Sequence, residues 1–334
     1  MAQTMKSIVM TGPGGPEVLR AAELPIPQIG TPHDVRVRVH AAALNPVDCK
    51  IRTRGQFAGT NPVLGCDGAG VVESVGSAVE RFSVGDAVYF MNGGYGSEQG
   101  TYAQYVVIDE RYLARKPASL DFAAAAAVPL VTITAWEALH DQASVHTGQS
   151  VLVHGGAGGV GHVAIQLAAL AGARVAATVS SSEKANVARS LGASEAINYR
   201  TEDVKKAVLR WTDERGADTV FDTVGGATYD SSLELLKYHG TLVTICERRW
   251  PSADAAIGWE RNLRVAFTFV PAPQVLRLEE RLRQREILEH AARLIDEQKL
   301  RVNVGATFAL EQAADAHRAL EGGKVTGKVV LEIP

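Results

Sequence analysis

Three features of the sequence predict an α/β protein of two domains, one rich in β-strand and one built on a doubly wound parallel sheet. Strand and helix patterns alternate between residues 150 and 246, as they do when parallel strands are joined by crossover helices. Gly156, Gly158 and Gly161 form G-x-G-x-x-G between a short β-branched strand and an apolar helical run. The residues before 118 carry strand and turn signals instead.

In chain order, residues 6–10, 35–39, 70–75, 87–90 and 102–107 read as strands, most clearly in the alternation Val35-Arg36-Val37-Arg38-Val39. Gly12-Pro13-Gly14-Gly15-Pro16 and Gly93-Gly94 punctuate them, so an all-β or barrel-like first domain is expected. The character changes near Asp121. An Ala-rich run to Ala127 favours helix, Pro129 interrupts it, and a second helix is predicted over 132–142. The boundary between domains is placed there, at residues 125 and 126. Beyond it, strands at 150–154, 174–179, 195–198, 218–222 and 241–246 alternate with helices at 160–171, 183–190, 202–211 and 228–237. A less regular segment, 247–257, precedes a strand at 263–270, a charged amphipathic helix at 276–298, a last helix at 310–320 and a strand at 328–333.

The chain has 334 residues, of which 46% are hydrophobic and 21% charged, and its formal charge is −3. That balance leaves no electrostatic footprint for nucleic acid or an anionic membrane. The most apolar segment, 122–136, is shorter than a bilayer span and contains Pro129, Thr132 and Thr134, and residues near the N-terminus form no apolar signal core. Cytoplasmic residence is expected. Cys49, Cys66 and Cys246 are dispersed and odd in number, which argues against a disulfide framework and fits a reducing compartment.

A glycine loop between a strand and a helix turns backbone N–H groups and the positive end of the helix toward a pyrophosphate, so a dinucleotide is expected at Gly156, Gly158 and Gly161. The next strand decides which one. Sites for NAD place an acid about twenty residues after the loop, on the ribose hydroxyls. Here that strand runs Ala177-Thr178-Val179 into Ser180-Ser181-Ser182, with Lys184 following. Hydroxyls, a helix N-terminus and a lysine favour a 2′-phosphate, and NADP(H) is predicted. The plainer alternative is that Ser180 caps the helix, with Glu183 completing a capping box.

Several spaced motifs carry a resemblance. Asn45-Pro46-Val47-Asp48, Gly65-Cys66-Asp67-Gly68-Ala69-Gly70-Val71-Val72-Glu73-Ser74-Val75-Gly76 and Phe82-x-x-Gly85-Asp86-x-Val88 resemble the GroES-like catalytic domain of the medium-chain dehydrogenase/reductases. The stretch 151–161, Asn198-Tyr199, Gly216-Ala217-Asp218, Gly225-Gly226 and Thr326-Gly327-Lys328 resemble the quinone oxidoreductase, or zeta-crystallin-like, branch. The resemblance spans nearly the whole chain. It implies a GroES-like β-barrel catalytic domain from 1–125 and 271–334, a Rossmann domain inserted at 126–270, and a cleft where nicotinamide meets substrate. It further implies that Ser180, Lys184 and Tyr199 contact the 2′-phosphate end of NADPH. Thr132, Gly158, Gly159 and Val160 are placed on the pyrophosphate and nicotinamide side, with Asn45 and Lys328 near the nicotinamide ribose. Without the family, Tyr199 reads equally well as a partly buried aromatic at a sheet edge.

In the zinc alcohol dehydrogenases of the superfamily, a Cys and a His supply catalytic ligands where this chain has Asn45 and Cys66. Three dispersed cysteines cannot build a four-cysteine structural site. Asp48, Cys49, Cys66 and Asp67 could gather in principle, but no His or Cys pair has ligand spacing, so no metal is expected. Hydride transfer to a quinone or an α,β-unsaturated carbonyl needs only hydrogen-bond polarisation of the acceptor oxygen and a proton. Asn45 is the first candidate donor. Lys50 stands where the family has a tyrosine and is a second candidate, and Thr132 completes the proposed catalytic set. The alternative for Asn45-Pro46-Val47-Asp48 is a turn with Asp48 capping the next segment. Phe57 and the segment Cys246-Glu247-Arg248-Arg249-Trp250 also depart from the family pattern.

The expected function is NADPH-dependent, zinc-independent reduction of a quinone or enone. A 2-enoyl thioester or 2-haloacrylate reductase would use the same chemistry, and a non-catalytic NADPH-binding protein is the reading from another class. A small-molecule acceptor and a homodimer through residues 263–270 are the expected partners, with no nucleic acid and no membrane.

Overall fold

The structure is a computed structural model that describes residues 3–55, 61–95, 98–246 and 252–334. Phe57 and residues 247–250 lie outside them. The chain divides into two compact units, Met1–Leu130 with Pro271–Pro334, and Val131–Val270.

The chain opens with β1 (Thr4–Met10) and β2 (Leu19–Pro25), paired antiparallel. Sequence patterning does not predict the second of these. Its residues, LRAAELP, have little β-propensity, and it is held by pairing with β1. Next come β3 (Asp34–Leu44), helix α1 (Pro46–Arg54), β4 (Asp67–Val75), β5 (Ala87–Met91), β6 (Tyr105–Asp109) and β7 (Ala114–Arg115). Helix α2 (Phe122–Ala126), capped by the Asp121 side chain, packs on β3 and β4, which draws the first unit on to Leu130 rather than ending it at 125. Helix α3 (Pro129–Trp136) continues into a π turn over Glu137–Gln142. The helical run Phe122–Gln142 is therefore long and apolar enough to cross a membrane, contrary to the length expected from sequence, but 72% of its most apolar window is buried inside the protein.

The second unit contains β8 (Ser150–Val153), α4 (Gly161–Leu170), β9 (Arg174–Val179), α5 (Ser182–Ser190), β10 (Glu195–Asn198), α6 (Val204–Trp211), β11 (Ala217–Asp222), α7 (Ala227–Leu235), β12 (Leu236–Thr244), α8 (Ser252–Glu260) and β13 (Arg264–Phe267). All six strands are parallel in the order β10-β9-β8-β11-β12-β13, the doubly wound arrangement whose strand order reverses at β8. Leu152, Val220, Leu242, Leu233 and Tyr229 belong to one buried cluster. Helix α7 stops at Leu235, before the expected 237, because β12 already begins at Leu236. Part of the irregular segment 247–257 is helical, as α8.

The chain then returns to the first unit with α9 (Ala272–Leu276), α10 (Arg281–Asp296), β14 (Val304–Ala309), α11 (Ala313–Glu321) and β15 (Lys328–Glu332). The single helix predicted over 276–298 is broken at Arg277, whose φ of 56° lies in the left-handed region. Strand β14 escapes sequence patterning because Gly305 interrupts its alternation. The seven-stranded sheet is organised on β3, whose Val35–Arg38 half pairs with β6 and whose Ala41–Leu44 half pairs with β15, while β4 runs along it.

Candidate active site

In the second unit, the carboxyl ends of the parallel strands carry the glycine loop. After β8 the chain turns through His154 to Val160 and enters α4 at Gly161. Gly155 has φ +68°, and a Cβ on Gly161 would lie 2.2 Å from the Gly155 carbonyl oxygen, so neither tolerates a side chain without shifting the loop. A Cβ on Gly156 would meet Ala177 Cβ at 2.6 Å, and the Gly156 N–H donates to Thr178 O at 3.0 Å. No side chain caps α4, and Gly158, Gly159 and Val160 are half-exposed at its opening. Those features fit a pyrophosphate, because an uncapped helix start presents free N–H donors. Thr132 supplies a further sign of a ligand: it is fully buried and its Oγ1 has no protein partner.

The adjacent strand ends bring together three expected residues. Ser180 follows β9, Lys184 lies in the first turn of α5, and Tyr199 follows β10, its N–H donating to Val179 O at 3.1 Å. The helix cap is Ser181, whose Oγ accepts the Lys184 N–H at 3.3 Å, and not Ser180 as the capping-box alternative has it. Helix α5 begins one residue later than that alternative requires, so Ser180 is left outside the cap. Tyr199 is 52% exposed rather than partly buried. No carboxylate stands at the end of β9.

Sequence reasoning passes over His154, which braces these strand ends. Burial pushes its imidazole down to about 4, so it is neutral, and its Nδ1 lies 3.1 Å from Thr178 Oγ1. Thr178 Oγ1 also accepts the Gly155 N–H at 3.2 Å, and Asp222 at the end of β11 accepts the N–H groups of Val224 and Gly225 at 2.9 Å each. A His between an apolar strand and a glycine loop is the signal the sequence offers for it.

In the first unit, sheet register gathers a polar cluster. Val329 pairs with Leu44 and Ala43 with Asp67, which sets Lys328 and Asp67 on either side of Asn45 at the end of β3. All three are buried. Lys328 Nζ donates to Asn45 Oδ1 at 2.5 Å and to Asp67 Oδ2 at 3.1 Å, and Asn45 Nδ2 donates to Asp67 Oδ2 at 2.9 Å. Asp67 Oδ1 accepts the Leu130 N–H at 2.9 Å. Burial pushes the Asp67 carboxyl up, and the ammonium and the neighbouring N–H donors oppose it and hold the charge. Asp67 thus braces Asn45 and Lys328 instead of joining a metal site; an acid inside the Gly-rich stretch 65–70 is its signal in the sequence.

Asn45 caps α1, with the Asp48 carboxylate oxygen Oδ2 accepting its backbone N–H at 2.7 Å. The capping role expected of Asp48 is therefore present, and the segment is a helix rather than a bare turn. Beyond Asp67, the Asn45 amide nitrogen has longer contacts, 3.5 Å to Ala43 O and 3.7 Å to Cys66 Sγ. Lys50 does not join the cluster. It is exposed on α1, whose buried face is Asp48, Cys49, Ile51 and Arg52.

The donors around Cys66 do not fit a metal. Tyr95 donates its hydroxyl to Cys66 Sγ at 3.2 Å, so the sulfur is already engaged within the protein. Asp67 is already engaged by Lys328 and Asn45. Among the described residues, no group of three or more His, Cys, Asp or Glu side chains is set to hold an ion.

Comparison with known proteins agrees with this architecture. The family described as "Alcohol dehydrogenase GroES-like domain" matches residues 31–118, and that described as "Zinc-binding dehydrogenase" matches 191–331. A quinone oxidoreductase of Pseudomonas aeruginosa is 35% identical over 334 residues, covering 98% of this chain and 99% of that protein. A phthioceranic/hydroxyphthioceranic acid synthase of Mycobacterium tuberculosis is 34% identical over 308 residues, which cover 91% of this chain but 14% of the synthase. Among solved structures, an Escherichia coli quinone oxidoreductase complexed with NADPH aligns with a TM-score of 0.88 at 28% identity, over 98% of this chain and 99% of that one. An NAD-dependent alcohol dehydrogenase aligns with the same TM-score at 37% identity, over 99% of this chain and all of that one.

Proposed function

This chain belongs to the quinone oxidoreductase family of the medium-chain dehydrogenase/reductases, and from that premise we propose that it is an NADPH-dependent oxidoreductase that reduces a quinone or an α,β-unsaturated carbonyl compound. The observation that carries this reading is the match to the P. aeruginosa enzyme from end to end. The strand ends support the cofactor: Ser180, Lys184 and Tyr199 offer hydroxyls and a cation to a 2′-phosphate, with no acid at the end of β9 to repel it.

When bound, the reduced nicotinamide supplies the hydride. The glycine loop from Gly156 to Val160 and the uncapped start of α4 would hold the pyrophosphate, and the orphan hydroxyl of Thr132 would take a cofactor hydrogen bond. By the family pattern, Lys328 and Asn45 would serve the nicotinamide ribose. Lys328 and Asp67 lock the Asn45 amide in one orientation, from which an N–H, exchanging its long contact, would polarise the acceptor oxygen. The donor set around Cys66 supports a zinc-independent reaction.

The test is NADPH oxidation against a panel of quinones, enones and enoyl thioesters, with NADH in parallel. Turnover of a quinone or enone with at least tenfold preference for NADPH is expected. Preference for NADH, in keeping with the NAD-dependent alcohol dehydrogenase neighbour, overturns the phosphate assignment. An enoyl-thioester reductase is the second reading, favoured by the match to a segment of the mycobacterial synthase. NADPH binding without turnover of any acceptor selects the binding-only reading.

A cytoplasmic homodimer completes the proposal. Cys49 and Cys66 are buried free thiols, which supports a reducing compartment. Strand β13 is the edge of the parallel sheet, and Phe267, Phe269 and Trp259 are 47%, 43% and 83% exposed on or near it, a surface that association would cover.

A further inference from the structure

The strand that feeds the glycine loop is held from both sides. β8 lies between β9 and β11, and Val153 pairs with Ala177 on one and with Phe221 on the other. The chain therefore leaves the sheet at His154 with Thr178 on one flank and Thr223 on the other. The last ladder bond runs from the His154 N–H to Phe221 O at 3.0 Å. Past it, side chains replace the ladder. The Gly155 N–H donates to Thr178 Oγ1 at 3.2 Å, and the Thr223 hydroxyl donates to His154 O at 2.7 Å. That N–H and that carbonyl are the two ends of one peptide group. In a trans peptide they point in opposite directions, so hydroxyls from the two neighbouring strands fix its plane.

Both hydroxyls are themselves held in place. Thr178 is buried, and once its oxygen has accepted the Gly155 N–H its own hydrogen has His154 Nδ1, 3.1 Å away, as acceptor. Thr223 sits in the turn that Asp222 shapes, with Asp222 Oδ1 accepting the N–H groups of Val224 and Gly225 and Oδ2 accepting the Thr244 hydroxyl at 3.2 Å. A Cβ on Gly155 would lie 2.8 Å from Thr223 Oγ1, so the close seat itself requires glycine. From the held peptide the loop follows in order: the Gly156 N–H donates to Thr178 O at 3.0 Å, and the Gly158 N–H donates to Gly155 O at 2.9 Å. The plane of one peptide thus sets the path by which the chain reaches the open N–H groups at the start of α4.

We propose that Thr178 and Thr223 are a pair of positioning residues for the dinucleotide, which clamp the His154-Gly155 peptide and so preset the glycine loop before the cofactor enters. The proposal rests on the dinucleotide reading of that loop under the proposed function. It is independent of Ser180, Lys184 and Tyr199. The clamp acts on the part of the site that NADPH and NADH share, so it serves both alike, whereas the residues assigned to the 2′-phosphate serve NADPH alone.

The test is titration of the full-length protein with NADPH and with NADH, followed by fluorescence, together with steady-state kinetics on the best acceptor of the panel. Thr178→Val and Thr223→Val keep the branched shape and remove the hydroxyl. Each is expected to raise Kd about tenfold for both dinucleotides, because the loop must then be ordered on binding. Their ratio of affinities stays that of the wild type, and kcat at saturating NADPH stays within about twofold, the pattern of an interaction that acts on binding alone. The double variant is expected to lose about as much as either single one, well short of the roughly hundredfold of independent sites, because either change releases the same peptide. Thr178→Ser and Thr223→Ser restore Kd. Unchanged Kd in both Val variants overturns the proposal, as does a Ser variant that fails to restore binding, a fully additive double variant, or a loss confined to NADPH. A wild type that prefers NADH overturns the phosphate assignment, and the clamp stands if the Val variants weaken NADH. A wild type that binds neither dinucleotide overturns both.

Discussion

Lys328 and Asp67 form an ion pair with side chains 3% and 0% exposed. Such a pair adds little net stability against its desolvation, but removing one partner strands the other charge. Lys328→Met is therefore expected to cost about 3–5 kcal/mol in urea unfolding, and a loss below about 1 kcal/mol would mean that Asp67 is neutral in the wild type. The same residues mark how far the sequence can be read. Asn45 and Lys328 are legible through their motifs, because short spacings such as Asn-Pro-x-Asp and Thr-Gly-Lys survive as strings. Asp67 as their brace is not, since residues 45, 67 and 328 meet only through the pairing of β3 with β4 and β15. The exposure of Lys50 is hidden for a related reason: nothing in the string tells which side of α1 faces inward. The left-handed Arg277 is equally hidden, because a non-glycine residue holds φ near 56° only when the structure around it fixes that conformation.

At the scale of the element, the turn from β8 into α4 depends on backbone approach. Gly161→Ala puts a methyl group 2.2 Å from the Gly155 carbonyl oxygen, so the loop must open before the helix can start. NADPH affinity measured by fluorescence is expected to fall at least tenfold, while the far-ultraviolet circular dichroism stays near that of wild type; unchanged affinity would remove the loop from the cofactor site. Alternating elements are easiest to read here, since each parallel strand is a short apolar run closed by a turn, as at β9 and β10. The exceptions are elements held by tertiary contact against their own propensity, such as β2.

Over the whole molecule, buried histidines set the response to acid. His154 and His317 are held neutral by burial, at about 4 and about 3, whereas each binds a proton near 6.5 when unfolded. The unfolded chain thus binds more protons, so the stability present above pH 6.5 is lost as pH falls toward 4. Asp48, raised to about 7, works in the opposite sense between 3.8 and 7. His317→Gln is expected to flatten the fall in stability between pH 6.5 and 4 by up to about 1.4 kcal/mol per pH unit, measured by urea unfolding; an unchanged slope would mean that His317 is not neutral in the fold. Light scattering checks the proposed association: a dimer is expected for the wild type and a monomer for Phe267→Lys, and a monomeric wild type would leave the apolar edge of β13 without this explanation. The sequence by itself determined the two-part α/β plan, the dinucleotide loop and the family, because periodicity, glycine spacing and short motifs are local properties of a string. The tertiary structure alone decided that Ser181 rather than Ser180 caps α5, that Lys50 turns outward, and that Asp48, Tyr102 and His317 line up behind Asn45. Those facts depend on helix phase and strand register, which bring together residues as far apart as 48 and 317 and are set by packing rather than by neighbours in the chain.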